Sequence, residues 1–511
     1  MKRVASRSAS SCSMAANPTI VLLPAWGVGH FMPMIEAGKR MLQCSSSGAL
    51  SLTVLLMPAP TAQAASDIAA HVRREEEEAG AVDIRFLRLP PVQLPTDHTG
   101  VEEWISRIVQ LHVPHIGAAV SALACPVAAL VLDIFFTPAL DVSRHLAVPA
   151  YVYFTSGAAM LALLLRSPSL QDEVDGEFEG AVDVPGLPPV PPSFLPETLL
   201  DKRSPTYTWF LYTGRRYMEA NGIIVNTAAE LEPGILAAIA EGRCTIGVRA
   251  PTVYPIGPAI SLRSPPAEQP HECVRWLDSQ PRSSVLFLCF GSKGMLPPSQ
   301  VHEIARGLER SGHRFLWVLR GLPVDTTTGA RDPTDAKLAE LLPEGFLEKT
   351  KGRGLVWPTR APQKEVLAHA AVGGFVTHCG WNSILESLWF GVPMLPWPLA
   401  ADQHLNAFVL VHGMGVAVPL EMDRERGNYV EAAELERAVR SLMGGREEGV
   451  KAREKAMEMM RACRNAVEQS GSSHASLQRL SEELVGGAVL PKRGSTTYTT
   501  SAQPDHVSPH V

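Results

Sequence analysis

RAPQKEVLAHAAVGGFVTHCGWNSILESLWFGVPMLPWPLAADQ, residues 360–403, contains the turn that decides the fold. Within it GGFVTH (373–378) is a short apolar run of strand composition, and it passes through Cys379 and Gly380 into the helical spacing of ILESLWF. A strand that opens through a glycine turn into a helix leaves free backbone N–H groups and the positive helix end facing outward. That is an anion site, and a diphosphate suits it. His378, Asn382 and Ser383 add side-chain donors, and Glu386 follows at the distance of a ribose hydroxyl partner. The same letters also fit a plainer reading, in which Ser383-x-x-Glu386 is only a capping box.

Outward from this stretch, the chain repeats one rhythm twice. TIVLLPA (19–25), SLTVLLMPA (51–59), DIRFLRLP (83–90), AALVLDIFF (128–136) and PAYVYFT (149–155) are continuous apolar runs separated by helix-like segments. SVLFLCFGS (284–292), RFLWVLRG (314–321), GLVWP (354–358), GGFVTHCG (373–380) and PMLPWP (393–398) repeat the pattern. Continuous rather than alternating runs suit strands buried on both faces of a parallel sheet, and strands alternating with helices make a doubly wound α/β fold. The expected division is a disordered lead (1–17), an N-terminal acceptor-binding Rossmann-like domain (18–250) and a Pro-rich linker (251–272). A C-terminal Rossmann-like domain (273–486) and a disordered tail (487–511) complete it. Two such halves leave a cleft between the carboxyl edges of their sheets. DVPGLPPVPPSFLPE (183–197) is expected as an ordered surface loop, and RREEEE (73–78) as a solvated helix face.

Composition narrows the function. The 511 residues are 46% hydrophobic and 19% charged with a net charge of −6, so no electrostatic footprint points to nucleic acid or a membrane surface. Aromatics at 6% are few for a base-stacking platform. The eight cysteines have no CxxC spacing, which suits a reducing compartment and argues against a disulfide framework or zinc site. No apolar stretch reaches the roughly 20 residues of a membrane span, and the basic, Ser-rich start has no hydrophobic segment. The expected place is the cytoplasm, as a monomer.

A second candidate centre is PAWGVGHFMPM (24–34), where His30 follows Gly27-Val-Gly29 at the carboxyl end of the first strand. An imidazole there can take a proton from a phenol or alcohol during attack. Asp133 ends the strand AALVLD and can orient that ring, or it can serve as a helix cap or structural acid. A dinucleotide-binding turn is a poor fit, since the third glycine of GxGxxG is missing. A scaffold that has lost catalysis would not need His30, Asp133, His378, Glu386 and Gln403 together.

The 44 residues from Arg360 to Gln403 resemble the signature box of plant secondary-product UDP-sugar glycosyltransferases, which also has 44 positions. The match runs through APQ (361–363), Leu367, His369, HCGWNS (378–383), Glu386-Ser387, GVP (391–393), WP (397–398) and Asp402-Gln403. Weaker marks are the early PxxGxGH, DVPGLPPV, YPIGP, CVRWLDSQP and FGS, spread over about residues 18–485. The resemblance implies a GT-B fold and an inverting O-glycosyl transfer that uses neither metal nor cofactor, only a UDP-sugar co-substrate and a small phenolic acceptor such as a flavonoid. It implies a His30–Asp133 catalytic pair. It implies His378 and Ser292 at the β-phosphate, and Asn382, Ser383 and the Trp381 backbone at the α-phosphate. Glu386 would take the ribose, Gln363 and Ala361 would lie by the nucleoside, and Asp402 and Gln403 would bind the sugar. No Asp-x-Asp occurs in the chain, in keeping with a metal-free site.

One position departs from the pattern. Most members open the box with Trp, whose ring stacks on uracil, whereas this chain has Arg360; using Trp357 instead would need an insertion before APQ. A guanidinium can stack on a base and can bind a carboxylate bidentately. Arg here resembles flavone 7-O-glucuronosyltransferases, which makes UDP-glucuronic acid the expected donor; the alternative is lineage drift in a UDP-glucose enzyme. Trp26, Phe31 and the 183–197 loop are the candidate walls of the acceptor pocket.

Overall fold

The structure, a computed structural model, describes residues 17–45, 49–77, 83–98, 100–262, 269–321 and 334–491. The expected lead (1–17, except Asn17), the tail beyond 491, the middle of the linker and Glu78 of the acidic run lie outside the described residues.

The first sheet has seven parallel strands: β1 (Thr19–Leu23), β2 (Ser51–Leu56), β3 (Ile84–Arg88), β4 (Val127–Asp133), β5 (Ala150–Phe154), β6 (Gly222–Val225) and β7 (Thr252–Pro255). They stand in the order β3-β2-β1-β4-β5-β6-β7, with Thr19 beside Ser51 and Leu130 beside Ala150. The second has five parallel strands among β8 (Val285–Cys289), β9 (Arg314–Val318), β12 (Gly354–Trp357), β13 (Val372–Thr377) and β14 (Met394–Pro396). Their order is β12-β9-β8-β13-β14, and a short antiparallel ribbon, β10 (Arg320–Gly321) with β11 (Thr334–Asp335), lies beside them. In both sheets the order reverses next to the first strand of that sheet, which opens a crevice at the carboxyl edge.

The unbroken apolar runs follow from this layering. In the second sheet, Leu286 and Leu288 face one core while Val285, Phe287 and Cys289 face the other. Phe315 and Trp317 against Leu316 and Val318 repeat the alternation on β9. Both faces are covered, so the strands are mainly apolar, with buried polar exceptions such as Thr19, Thr53 and Asp133. β3 departs from the expectation of strands buried on both faces: Arg85, Leu87 and Arg88 are exposed, because an edge strand has a neighbour on one side only. In the acidic run, expected as a solvated helix face, Arg73, Glu76 and Glu77 are exposed and Glu75 is the exception. The helix Ala62–Glu77 turns Ile68, Val72 and Glu75 inward, and buried Glu75 pairs with Lys39 at 2.5 Å.

The halves are joined more than once. Beyond the linker, the chain returns to the first half through its last helix, Ser472–Gly486. Ser473 Oγ donates to Gly257 O at 2.6 Å, and Ser481 Oγ donates to Met41 O at 3.0 Å. The Glu483 carboxylate accepts from the Tyr151 hydroxyl at 2.6 Å and from the Tyr254 hydroxyl, which ties this helix to β5 and β7. Val489 then pairs antiparallel with Val127. No helix among the described residues is long and apolar enough to cross a membrane.

Glu483→Ala leaves two largely buried tyrosine hydroxyls without their acceptor. It should lower unfolding stability by about 1–3 kcal/mol in a urea titration, while Glu483→Gln, which keeps an acceptor, should cost less.

Candidate active site

The carboxyl ends of both sheets open on one cavity of about 960 Å³. From the first half, the end of β1 leads through the N-cap Gly27 into the helix Val28–Cys44, so Val28, Gly29 and His30 form its first turn and border the cavity. β4 ends at Asp133, which is fully buried, and its Oδ2 lies 2.9 Å from His30 Nδ1. Thr155 Oγ1, past the end of β5, lies 3.4 Å from the same nitrogen. With Nδ1–H given to the carboxylate, Nε2 carries the lone pair. Burial disfavours the imidazolium, but the charge and hydrogen bond of Asp133, with a contribution from Asp402, outweigh it and raise the His30 pKa above its usual 6.5. Asp133 also accepts from Phe135 N at 3.3 Å. The orienting acid, and not the helix cap, is the role its geometry supports.

From the second half, β13 ends at Thr377 and the chain turns through Cys379, with φ +63°, into the helix Trp381–Phe390. The N-cap of that helix is Gly380, without a side-chain cap, so its first N–H groups are left for whatever occupies the cavity. This settles the capping-box alternative. Ser383 is the third helical residue and not the cap, and its Oγ accepts from Gln363 Nε2 at 2.9 Å. The same amide donates to Glu386 Oε2 at 2.8 Å. Burial raises the Glu386 pKa, opposed by that hydrogen bond and by the charge of Lys364.

His378 borders the cavity beside Ser292, Gly291 and Gly380. Burial alone depresses its pKa to about 4, so the ring is neutral near pH 7. Its Nδ1 is buried without a hydrogen-bond partner among the described residues. Gly291 has to be glycine. Its φ is +77°, and a Cβ there would lie 2.5 Å from His378 Nε2.

The two halves touch through these same residues. Asn382 Nδ2 donates to Gly29 O at 2.7 Å, one residue before His30. The Trp381 indole N–H donates to Asn226 O at 2.7 Å, and the ring is buried against Gly157, where a Cβ would come within 2.8 Å of it. Asp402 borders the cavity, accepts from the Ser156 hydroxyl, and accepts from Asn406 Nδ2 at 2.9 Å.

Ala361 and Arg360 also border the cavity. Gln403 is the exception among the sequence candidates. Its Oε1 accepts from Leu399 N at 2.8 Å and Ala400 N at 3.1 Å, closing its own turn, and it is not among the cavity-lining residues. Trp357 donates its indole N–H to Arg360 O at 3.3 Å and does not line the cavity either. Of the expected acceptor walls, Trp26 packs on Trp104 and Phe136, and Phe31 stacks on His71; neither Trp26 nor Phe31 lines the cavity, although His71 does. Pro196 of the 183–197 loop does line it. No motif or spacing marks the apolar walls that are present, Ile134, Phe135, Phe154, Met160, Leu164 and Phe210.

Two Rossmann-like sheets facing across a cleft, with a bare helix N-terminus on one side and a His–Asp pair on the other, define a GT-B glycosyltransferase. A family profile described as "UDP-glucoronosyl and UDP-glucosyl transferase" matches residues 261–459. The malvidin galactosylase UGT88C3 of Oryza sativa subsp. japonica is 70% identical over 475 residues, covering 92% of this chain and 98% of that protein. The anthocyanidin 5,3-O-glucosyltransferase of a Rosa hybrid cultivar is 38% identical, covering 91% and 98%. Among solved structures, Phytolacca americana UGT2 complexed with UDP-2fluoro-glucose and pterostilbene is similar with TM-score 0.77 and 35% identity, covering 91% of this chain and 99% of that one. TcCGT1 in complex with UDP gives TM-score 0.81 at 32% identity, covering 92% and 100%. The chain belongs to the plant UDP-glycosyltransferase family.

Two outcomes follow for this site. Because Asp133 raises the His30 pKa, the acid limb of a kcat/KM profile should lie above pH 6.5. In Asp133→Asn it should move to lower pH, with a rate loss of about 10²-fold or more. Gly291→Ala adds strain of about 1–3 kcal/mol and displaces His378, so UDP affinity measured by calorimetry should fall about tenfold with the fold retained.

Proposed function

We propose that the protein transfers a neutral hexose from its UDP donor to a hydroxyl of an anthocyanidin or related flavonoid, with inversion. The observation that carries this reading is the hydrogen bond from Asn382 to Gly29 O: a diphosphate held at the helix terminus would lie close to His30, the proposed base. His30 Nε2 takes the acceptor proton while the acceptor oxygen bonds to the anomeric carbon. The bond from that carbon to the diphosphate oxygen breaks, UDP leaves, and Asp133 stabilises the imidazolium. The charge that develops on the diphosphate meets the N–H groups at Trp381–Ser383 and the neutral His378. Glu386 and Gln363 would hold the nucleoside, and Asp402 the sugar. On this reading residues 18–250 supply the acceptor side and 273–486 the donor side. The apolar walls around Phe135, Phe154 and Phe210 suit a flat polyphenol.

Relatives named for galactosyl and glucosyl transfer support a neutral sugar, and so does the position of Arg360. Its guanidinium is already bonded to Asp67 by two hydrogen bonds, of 3.2 and 3.0 Å. A glucuronosyl donor is the second reading, favoured by the guanidinium itself.

Purified protein incubated separately with UDP-galactose, UDP-glucose and UDP-glucuronic acid, with malvidin or a simple flavone as acceptor, tests both. A hexoside is expected, with the larger kcat/KM for one of the two neutral donors. A glucuronide as main product would reverse the donor reading, and no product from any donor would end the proposed reaction.

A further inference from the structure

We propose that Asp67 sets the choice of sugar donor through Arg360, by occupying and neutralising a guanidinium that would otherwise favour a sugar carboxylate. The inference rests on the neutral-hexose reading above and gives it a physical cause.

Arg360 lines the cavity with Arg74, Arg320 and Lys364, and the carboxylates Glu102, Glu365, Glu386 and Asp402 line it too. A guanidinium left free in such a cavity would be a partner for an anionic donor. A UDP-hexuronic acid differs from a UDP-hexose in carrying a carboxylate in place of the hydroxymethyl group, and a guanidinium fork binds that group with two parallel bonds. In this chain the fork is taken. Arg360 Nη1 donates to Asp67 Oδ1 at 3.2 Å, and Nη2 donates to Asp67 Oδ2 at 3.0 Å.

The aspartate is itself held in place. Gln63, four residues earlier on the helix Ala62–Glu77, donates Nε2 to Asp67 Oδ1 at 2.8 Å. The Asp67 side chain is 17% exposed while that of Arg360 is 50% exposed. The acid is therefore fixed in the first half, and the arginine reaches across the cleft to it. A donor carboxylate would have to displace Asp67 from Arg360 and then lie beside its negative charge. A hydroxymethyl group meets neither obstacle. Asp67 has no expected contact with the donor and acts by positioning and neutralising Arg360.

The test is Asp67→Asn, which keeps the shape of the side chain and removes its charge. Binding of UDP, UDP-galactose and UDP-glucuronic acid is measured by calorimetry without acceptor, and kcat/KM for both sugars with it. The expected result is an affinity for UDP-glucuronic acid raised about tenfold, with UDP and UDP-galactose changed by less than about twofold. The gain should recur in Asp67→Ser and vanish in the Asp67→Asn, Arg360→Ala double variant. Unchanged UDP-glucuronic acid binding in both single variants, with UDP binding intact, would overturn the proposal, as would a gain that survives loss of Arg360. A wild-type preference for UDP-glucuronic acid would overturn it too, since Asp67 would then be no barrier. A wild type that binds UDP-sugars without transferring them would end the proposed reaction and leave the binding comparison decisive for Asp67.

Discussion

The arrangement depends on the first turn of the helix Trp381–Phe390 entering the opposite half of the molecule. Trp381 gives its indole N–H to Asn226 O, and Asn382 gives its amide to Gly29 O, so one helix end is keyed into the first sheet at two adjacent residues. Close approach at Gly157 is what lets the indole in. On the proposed function, the helix end that offers N–H groups to the diphosphate is thus also the part that sets the distance between donor and acceptor. Position and electrostatics come from the same residues, and in a transfer reaction much of the rate enhancement comes from holding the two reactants in register.

The two histidines of the cavity show how environment divides one side chain into two roles. Both are largely removed from water, which by itself disfavours the cation. His30 has a buried carboxylate on Nδ1, and its affinity for a proton rises. His378 has no such partner and stays neutral, a donor without a charge of its own. These are the properties the proposed function asks of them: His30, as base, has to accept a proton near neutral pH, and His378, beside the phosphates, has to stay neutral until they bind. The difference comes from Asp133, which lies 103 residues from His30 in the chain but only one strand away in the sheet.

That relation explains what could be read from the sequence. His30 follows the first apolar run through a glycine turn and Asp133 ends the strand AALVLD; doubly wound topology brings such strand ends to one edge, so their meeting follows from local pattern and general topology together. The same holds for His378, Ser383 and Glu386, which a fixed spacing carries from a strand end into one helix, and for Gln363 at the start of the helix before that strand. Asp67 could not be found this way. It sits mid-helix in AQAASDIAAHV with no motif around it, and its partner is on the other half of the molecule. Contacts such as Ser156 with Asp402 depend on how two separately folded sheets are set against each other, and no periodicity within either one records that. Gln403 shows what a motif leaves open: its position belongs to the box, and in the structure its Oε1 accepts from the backbone of its own turn.

The return of the chain through Ser472–Gly486 has a mechanical meaning. Two bodies joined by one flexible connection can swivel about any axis. Here the polypeptide crosses between the halves twice, once through the proline-rich segment and once before Ser472, and Ser473 meets Gly257 where the two crossings run side by side. Two adjacent attachments leave the halves fewer ways to turn against each other than a single connection would, and so help keep Asn382 in register with Gly29.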